Sequence, residues 1–349
     1  MIINGKYGSI RVHAKTIEEQ CIVQLEKISN SVISQDSQIE VMPDTHAGKG
    51  SVIGYTQTIT DKINPEFVGV DVGCGMLCAK LKNPLDAKEF VDRCKKYMPV
   101  GFNTHRSVQQ GFDYSKLHCE LKNDQKRRIE LSVGTLGSGN HFIELNENEQ
   151  GEQYVVIHTG SRNLGNIVCN YHLRFCVEDN IKYLIGERKN DYLEDMQIAQ
   201  LYAKENRETI LRLLKLDTVE VFETIHNYIS FEDMILRKGA ISSHLGEKVL
   251  IPFNMRDGSI IAIGKGNKNW NLSAPHGAGR LMSRTEARKK ISLEDFKNSM
   301  TNIYSETVNS STIDESPFCY KDHNEIIEQI GETVDIIEKL KVIANFKGY

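Results

Sequence analysis

Five short segments between residues 42 and 280 couple glycine to aspartate, cysteine or histidine, and they constrain the chain more than any other feature. They are Met42-Pro-Asp-Thr-His-Ala-Gly48, Gly69-Val-Asp-Val-Gly-Cys-Gly75, Gly134-Thr-Leu-Gly-Ser-Gly-Asn-His-Phe-Ile-Glu144, His158-Thr-Gly-Ser-Arg162 and Ser273-Ala-Pro-His-Gly-Ala-Gly-Arg280. Glycine lets a backbone turn tightly and approach a ligand closely, and successive N–H groups in such turns make anion-binding nests. A neighbouring carboxylate, thiolate or imidazole adds donors that suit Mn²⁺ or Zn²⁺. Read singly, each segment is weak, because a buried cysteine is more often packing than ligand and any one histidine is more often ordinary. Read together, they set a thiolate among a carboxylate and several imidazoles, a donor mix that suits a two-metal site with the sulfur between the ions. His13, His105, His118, His172, His244 and His323 lack such a context and are read as structural.

The segment at His276 supports two readings. Beyond Gly277-Ala-Gly279 a helix is expected over Arg280–Lys290, with Arg280, Arg284 and Arg288 on one face. That face is either a solvated basic surface or the backing of a phosphate site. In the second case His276 meets the phosphate as a base or as a nucleophile.

The remaining sequence narrows the class. With 43 Lys+Arg against 47 Asp+Glu the net charge is −4, so any nucleic-acid contact must come from a local basic patch. The N-terminal residues lack a signal-peptide core, and no run approaches the ~20 apolar residues of a membrane span. The eight cysteines show no CxxC pair of zinc-site spacing, and with no export signal the expectation is reduced thiols in the cytoplasm. The spacing predicts a helix from Thr16, capped by Thr16-Ile-Glu-Glu19, a long helix over Asp191–Leu214, and another from Asn324 to Ala344. Strands are expected at Phe67–Val72, Tyr154–Ile157, Lys248–Ile251 and Ser259–Ile263. Strands and helices do not alternate, which favours one mixed α+β domain over residues 1–349, with a β-sheet core, surrounding helices and a site built from glycine-rich loops.

At these residues the sequence resembles the RtcB family of RNA ligases. The matching motifs run in order from Met42 to the C-terminus: Asp71-Val-Gly-Cys74-Gly, Gly137-Ser-Gly-Asn140-His141-Phe-Ile-Glu144, His158-Thr-Gly-Ser-Arg162, His226-Asn-Tyr, Arg237-Lys-Gly-Ala, His276-Gly-Ala-Gly-Arg280, Asp314-Glu-Ser-Pro-Phe-Cys-Tyr320-Lys and Lys347-Gly. The resemblance implies a ligase that uses two Mn²⁺ ions and GTP. It joins RNA 3′-phosphate or 2′,3′-cyclic phosphate ends to 5′-hydroxyl ends in RNA repair or tRNA splicing. By the same match His276 is the guanylylated nucleophile, and Asp71, Cys74, His141, His158 and His226 are the metal ligands, with Cys74 bridging. Asn140, Glu144, Asn254, Ser259, Gly277, Ala278, Gly279, Tyr320 and Lys347 fall at nucleotide-contacting positions. Arg162, Arg280 and Arg284 fall at RNA or phosphate positions, with Arg288, Lys289 and Lys290 as further RNA candidates. Asp44 falls near the metals. An archease-like activator is a candidate partner.

The chain departs from the family where Pro252-Phe-Asn254-Met-Arg256 replaces Pro-Gly-Ser-Met-Gly and where Ile241-Ser242 replaces Thr-Arg. It is also on the short side, which suggests trimmed loops. These changes bear on guanine selectivity and RNA choice. The altered Pro252–Arg256 segment motivates one alternative, a metal-dependent phosphoesterase that opens cyclic phosphates but seals poorly. A second, a catalytically silent RNA-binding paralogue, is opposed by the presence of all five ligand positions and His276.

Overall fold

Antiparallel pairing dominates the computed structural model, which describes residues 1–348. One sheet runs, edge to edge, through Ile2–Asn4, Ser9–Val12, Ile39–His46, Ile53–Thr58, Ile235–Lys238 and Asn227–Ser230. A second runs through Thr218–Ile225, Gly75–Leu81, Gln153–Thr159, Phe142–Glu147, Val334–Lys347, Gly258–Gly264 and Lys248–Asn254. This second sheet curls until its edges meet. The Leu250 N–H donates to Thr224 Oγ1 at 2.9 Å, and Lys248 pairs with Glu220 at 2.8 Å. One of its interior strands, Gln153–Thr159, is buried throughout, as a near-continuous apolar run requires. The eight cysteines are free thiols, and the architecture is the expected α+β class with helices around a sheet core.

The helix Glu187–Leu214 ties the two halves of the core together. Tyr192, Met196, Ala199 and Tyr202 enter the cluster that packs beneath the first sheet, while Ile210 and Leu214 enter the cluster around Leu77 and Ile157 of the second. The expected helix Asp191–Leu214 lies inside it. The windows Tyr154–Ile157, Lys248–Ile251 and Ser259–Ile263 lie inside observed strands.

Four expectations are corrected. The stretch Asn324–Ala344 is not one helix: a short helix, His323–Gln329, stops before Gly331, and Val334–Lys347 is a strand. Its Ile and Val residues fit a helical spacing, but the glycine ends the helix and the β-branched run then pairs in the sheet. Phe67–Val72 is not a strand. Asn64 caps a helical turn, Pro65–Val68, by accepting the Glu66 N–H at 2.7 Å, and Pro65 occupies the first helical position. The first helix spans Glu19–Ser29, with Glu18 rather than Thr16 at its N-cap and no side-chain cap bond. The arginine helix begins at Arg284, capped by Ser283, so the Gly277–Gly279 turn does not open onto a helix N-terminus.

Candidate active site

Strand ends of the curled sheet deliver the metal-type donors to one place. Cys74 immediately precedes Gly75–Leu81, His141 precedes Phe142–Glu147, and His158 lies near the end of Gln153–Thr159. Register sets His158 opposite both Met76 and Phe142. The His226 N–H donates to the Cys74 carbonyl at 2.9 Å, which fixes the fourth element beside the first. Asp71 precedes Cys74 in the same loop, where Gly160 lets it approach: a Cβ at Gly160 would stand 2.3 Å from Asp71 Oδ1.

The donor atoms form two groups, Cys74–His158–His226 and Asp71–Cys74–His141, with the atoms of each group within 4.8 Å of one another. Cys74 belongs to both. Its Sγ is 3.2 Å from His158 Nε2 and 3.6 Å from His141 Nε2. His158 Nε2 is 3.0 Å from His226 Nε2, and His141 Nε2 is 3.3 Å from Asp71 Oδ2. The far side of two rings is already committed. His141 Nδ1–H donates to the Leu136 carbonyl at 3.0 Å and His158 Nδ1–H to the Asn140 carbonyl at 3.1 Å. That tautomer puts both lone pairs on Nε2, facing the thiol, and this outer bonding is how ligating histidines are oriented. Burial pushes His158 down to about 3 and His226 well below its ordinary value, so the rings are neutral. Burial alone would raise Asp71, but His141 beside it holds its carboxyl well below the usual range. Lone pairs converging on lone pairs are repulsive unless a cation lies among them. The donor set therefore fits two ions that share a thiolate.

Two residues that the sequence reading missed hold this arrangement in place. Arg207 is fully buried on the long helix, and its Nη1 donates to the carbonyls of Gly73 at 2.7 Å and Thr159 at 2.9 Å, next to Cys74 and His158 respectively. Its Nε donates to Glu223 at 2.9 Å. Beside it, Asn206 accepts the Gly134 N–H at 2.7 Å and donates to the Gly160 carbonyl at 3.2 Å. The available signal was a polar pair interrupting the apolar stripe between Ala203 and Ile210.

His276 stands next to the cluster, its ring stacked on that of His226 at 4.9 Å between centroids. His276 Nδ1 donates to Oδ2 of the fully buried Asp44 at 2.6 Å, which leaves the lone pair on Nε2. Asp44 is braced from behind, because the buried Lys321 Nζ donates to the carbonyls of Pro43 and Thr45, each at 3.2 Å. Gly279, at φ +76°, is equally constrained, since a Cβ there would sit 2.2 Å from the Asp44 carbonyl oxygen. His46, pushed down to about 4 by burial, adds a neutral imidazole on the same wall.

A cavity of about 770 Å³ opens over His276, His158 and His226. Of the nucleotide candidates, Asn140, Glu144, Asn254, Gly277, Ala278, Gly279, Tyr320 and Lys347 line it, as do Arg280 and Arg284. Ser259 does not: it lies in the sheet, buried, opposite Pro252 and Leu340. Arg162 is not a wall residue either. It holds a strained φ of +54° and sets its Nη1 3.2 Å from the His141 ring.

A sequence profile described as tRNA-splicing ligase RtcB matches residues 24–120 and 110–348. The chain belongs to the RtcB family. It is similar to RNA-splicing ligase RtcB of Escherichia coli, at 30% identity over 89% of this chain and 90% of that protein. The tRNA-splicing ligase RtcB of Nanoarchaeum equitans is 24% identical over 98% of this chain and 94% of its own length. That of Aeropyrum pernix is 27% identical over 88% and 87%.

Two features of this RtcB-family chain were not announced by its sequence. The Asn254 side chain closes its own hairpin turn, accepting the N–H groups of Arg256 and Asp257 at 3.0 Å each and donating to Asp257 at 2.8 Å. It therefore shapes the wall beside Phe253 through a turn rather than with a free amide. The arginines, read as one helical face open to RNA, instead meet an acidic pair. Arg284 lies 2.8 Å from both Asp314 and Glu315, Arg288 is 3.0 Å from Asp314, and Arg280 is 3.4 Å from Glu315. Lys347 and Tyr320 also donate to Glu315, at 3.0 and 2.9 Å. Burial would raise the Glu315 carboxyl, but Lys347, Arg284 and Arg280 hold it down to about 2. The glutamate is ionised at any working pH and knits the C-terminal strand to the cavity wall.

Glu144 is the opposite case. Burial pushes its carboxyl up to about 7 from an ordinary 4.5, against the pull of Asn345 and Lys347. Between about pH 4.5 and 7 the folded protein keeps this proton while the unfolded chain releases it, so stability falls as pH rises through that window. The loss is about 3 kcal/mol. Glu144→Gln is expected to remove this slope and to raise stability above pH 7. Denaturation midpoints of the two proteins at pH 5 and pH 8 check it; parallel pH dependences would show that Glu144 is already ionised.

Proposed function

We propose that the chain, residues 1–349 as one domain, is an RNA ligase of the cytoplasm. It joins an RNA 3′-phosphate, or the 2′,3′-cyclic phosphate that precedes it, to a 5′-hydroxyl in RNA repair or tRNA splicing, with GTP and two Mn²⁺ ions. Its relatives are named as RNA- and tRNA-splicing ligases. One observation carries the reading: a histidine anchored through Nδ1 to a buried carboxylate at 2.6 Å, at the edge of a five-donor metal cluster and inside a nucleotide-sized cavity.

Asp71, Cys74, His141, His158 and His226 would hold the two ions, which when bound neutralise the phosphate oxygens around the reacting phosphorus. The rest of the chemistry rests on the chain. His276 Nε2 attacks the α-phosphorus of GTP, forming an N–P bond as the bond to the pyrophosphate oxygen breaks. Asp44, accepting from Nδ1–H, keeps that proton on the ring and balances the positive charge that develops there. An oxygen of the RNA 3′-phosphate then attacks the same phosphorus, and the N–P electron pair returns to His276. Finally the 5′-hydroxyl attacks the activated 3′-phosphorus and releases its proton to solvent, as the bond to GMP breaks and GMP leaves with the electron pair. Gly277-Ala-Gly279 offers backbone N–H groups to phosphates. Glu144 and Tyr320 contact the base, and Lys347 and Arg280 contact anionic oxygen.

Incubating two RNA halves, one ending in 3′-phosphate and one beginning with 5′-hydroxyl, tests the proposal. Joined product that requires both GTP and Mn²⁺ is expected. Opening of a cyclic phosphate without joining or GTP consumption would replace it with the phosphoesterase reading. RNA binding indifferent to metal removal, with no GTP turnover, would replace it with the silent-paralogue reading.

A further inference from the structure

Phe102 is 88% exposed, the most exposed large apolar side chain among the described residues. A single exposed apolar ring needs no explanation by itself, so any functional reason must come from where it sits. Its place supplies one. The turn that carries it is bonded to the rim of the candidate site, through Gly101 N–H donating to the Gly137 carbonyl at 2.8 Å and a parallel bridge from Val100 to Gly137. Gly137 lies directly under the Arg162 guanidinium, and Gly139, two residues on, faces Arg284 at the cavity mouth. His105 anchors the other side of the turn to Gly134 at 2.8 Å. The phenyl is therefore presented on a held turn, one residue from the loop that carries Asn140 and His141.

Its surroundings are cationic. Arg128 Nη2 donates to the Phe102 carbonyl at 3.0 Å. Arg106, Arg127 and Arg128 are exposed, and among the described residues none has a carboxylate within ion-pair distance. This contrasts with Arg280, Arg284 and Arg288, whose charges are met by Asp314 and Glu315. Arg128 at the Phe102 turn, with Arg127 beside it in the chain and Arg106 four residues on from Phe102, offers the kind of unmatched cationic group a chain of net charge −4 needs for RNA.

We propose that Phe102 is a base-stacking platform for a single-stranded RNA end, with Arg106, Arg127 and Arg128 tracking the phosphates as the strand leaves the metal centre. The inference rests on the ligase reading for the identity of the strand. An aromatic ring within a cationic track is how proteins hold single strands without reading sequence, since every base offers a π face.

The test compares wild type, Phe102→Ala and Phe102→Trp for binding of a short single-stranded RNA whose terminal base is 2-aminopurine. Stacking quenches that fluorophore. Phe102→Ala is expected to weaken binding about 5- to 150-fold and to abolish the quench, whereas Phe102→Trp keeps both. Arg127→Ala with Arg128→Ala is expected to flatten the salt dependence of binding. Labelling of each Phe102 variant by α-labelled GTP, without RNA, should match wild type, because that step precedes the RNA. Equal RNA binding by wild type and Phe102→Ala overturns the proposal, as does wild type that binds no RNA. So does a change confined to self-association in sedimentation, which would make the ring a protein contact. Absence of GTP labelling in wild type instead strikes the ligase reading, and the fluorescence comparison still decides the stacking.

Discussion

Cys74→Ala is expected to empty both ion positions at once, whereas His226→Ala or Asp71→Ala should empty one. The sulfur is the only donor common to the two groups, and the remaining donors divide into an imidazole pair on one side and a carboxylate with an imidazole on the other. Two ligands hold a divalent ion poorly in competition with water, so affinity at both positions should fall by more than the about 10- to 100-fold typical of disturbing an outer-shell partner. Burial raises the Cys74 thiol well above its ordinary value, which marks how much a bound cation must contribute to keep it as thiolate. Metal content after desalting, measured for the three variants beside wild type, checks the division. Loss of no more metal from Cys74→Ala than from His226→Ala would show that the sulfur bridges nothing.

The second large effect belongs to a residue that touches no ligand. Arg207→Met removes a guanidinium that is 0% exposed and leaves Glu223 and the carbonyls of Gly73 and Thr159 without their donor. Breaking a buried pair from one side costs about 3–5 kcal/mol. The two carbonyls adjoin Cys74 and His158, so the same change should loosen metal binding by about 10- to 100-fold. Arg207→Lys keeps the charge but not the fork, and should recover part of the stability and little of the affinity. Urea denaturation and Mn²⁺ titration of both variants separate the two effects. Wild-type metal affinity in a destabilised Arg207→Met would reduce Arg207 to a core residue.

These two residues mark how far the sequence could be read. Asp71, Cys74, His141 and His158 each sit in a glycine-rich segment whose composition has no packing explanation, so the candidates were visible before the fold. His226 was visible only through the family's motif order. Arg207, Asn206 and Lys321 act through backbone carbonyls and N–H groups brought close by folding, and nothing in their local sequence names those partners. The arginines at 280, 284 and 288 were legible as a cationic group but not in direction, because their acidic partners Asp314 and Glu315 come from a distant segment. The long helix was legible because its period is sustained over seven turns. Val334–Lys347 was not, since Ile and Val at spacings of three and four satisfy a helical template over a short window, and only Gly331 argued otherwise.

The central claim is that His276, set by Asp44, takes a nucleotide. The most direct measurement mixes the protein with Mn²⁺ and GTP labelled at the α-phosphate, denatures it, and asks whether label stays on the chain. Wild type is expected to carry acid-labile, alkali-stable label that maps to His276, and His276→Ala none. Folded, metal-loaded wild type that stays unlabelled, or His276→Ala that labels as wild type does, would contradict the account.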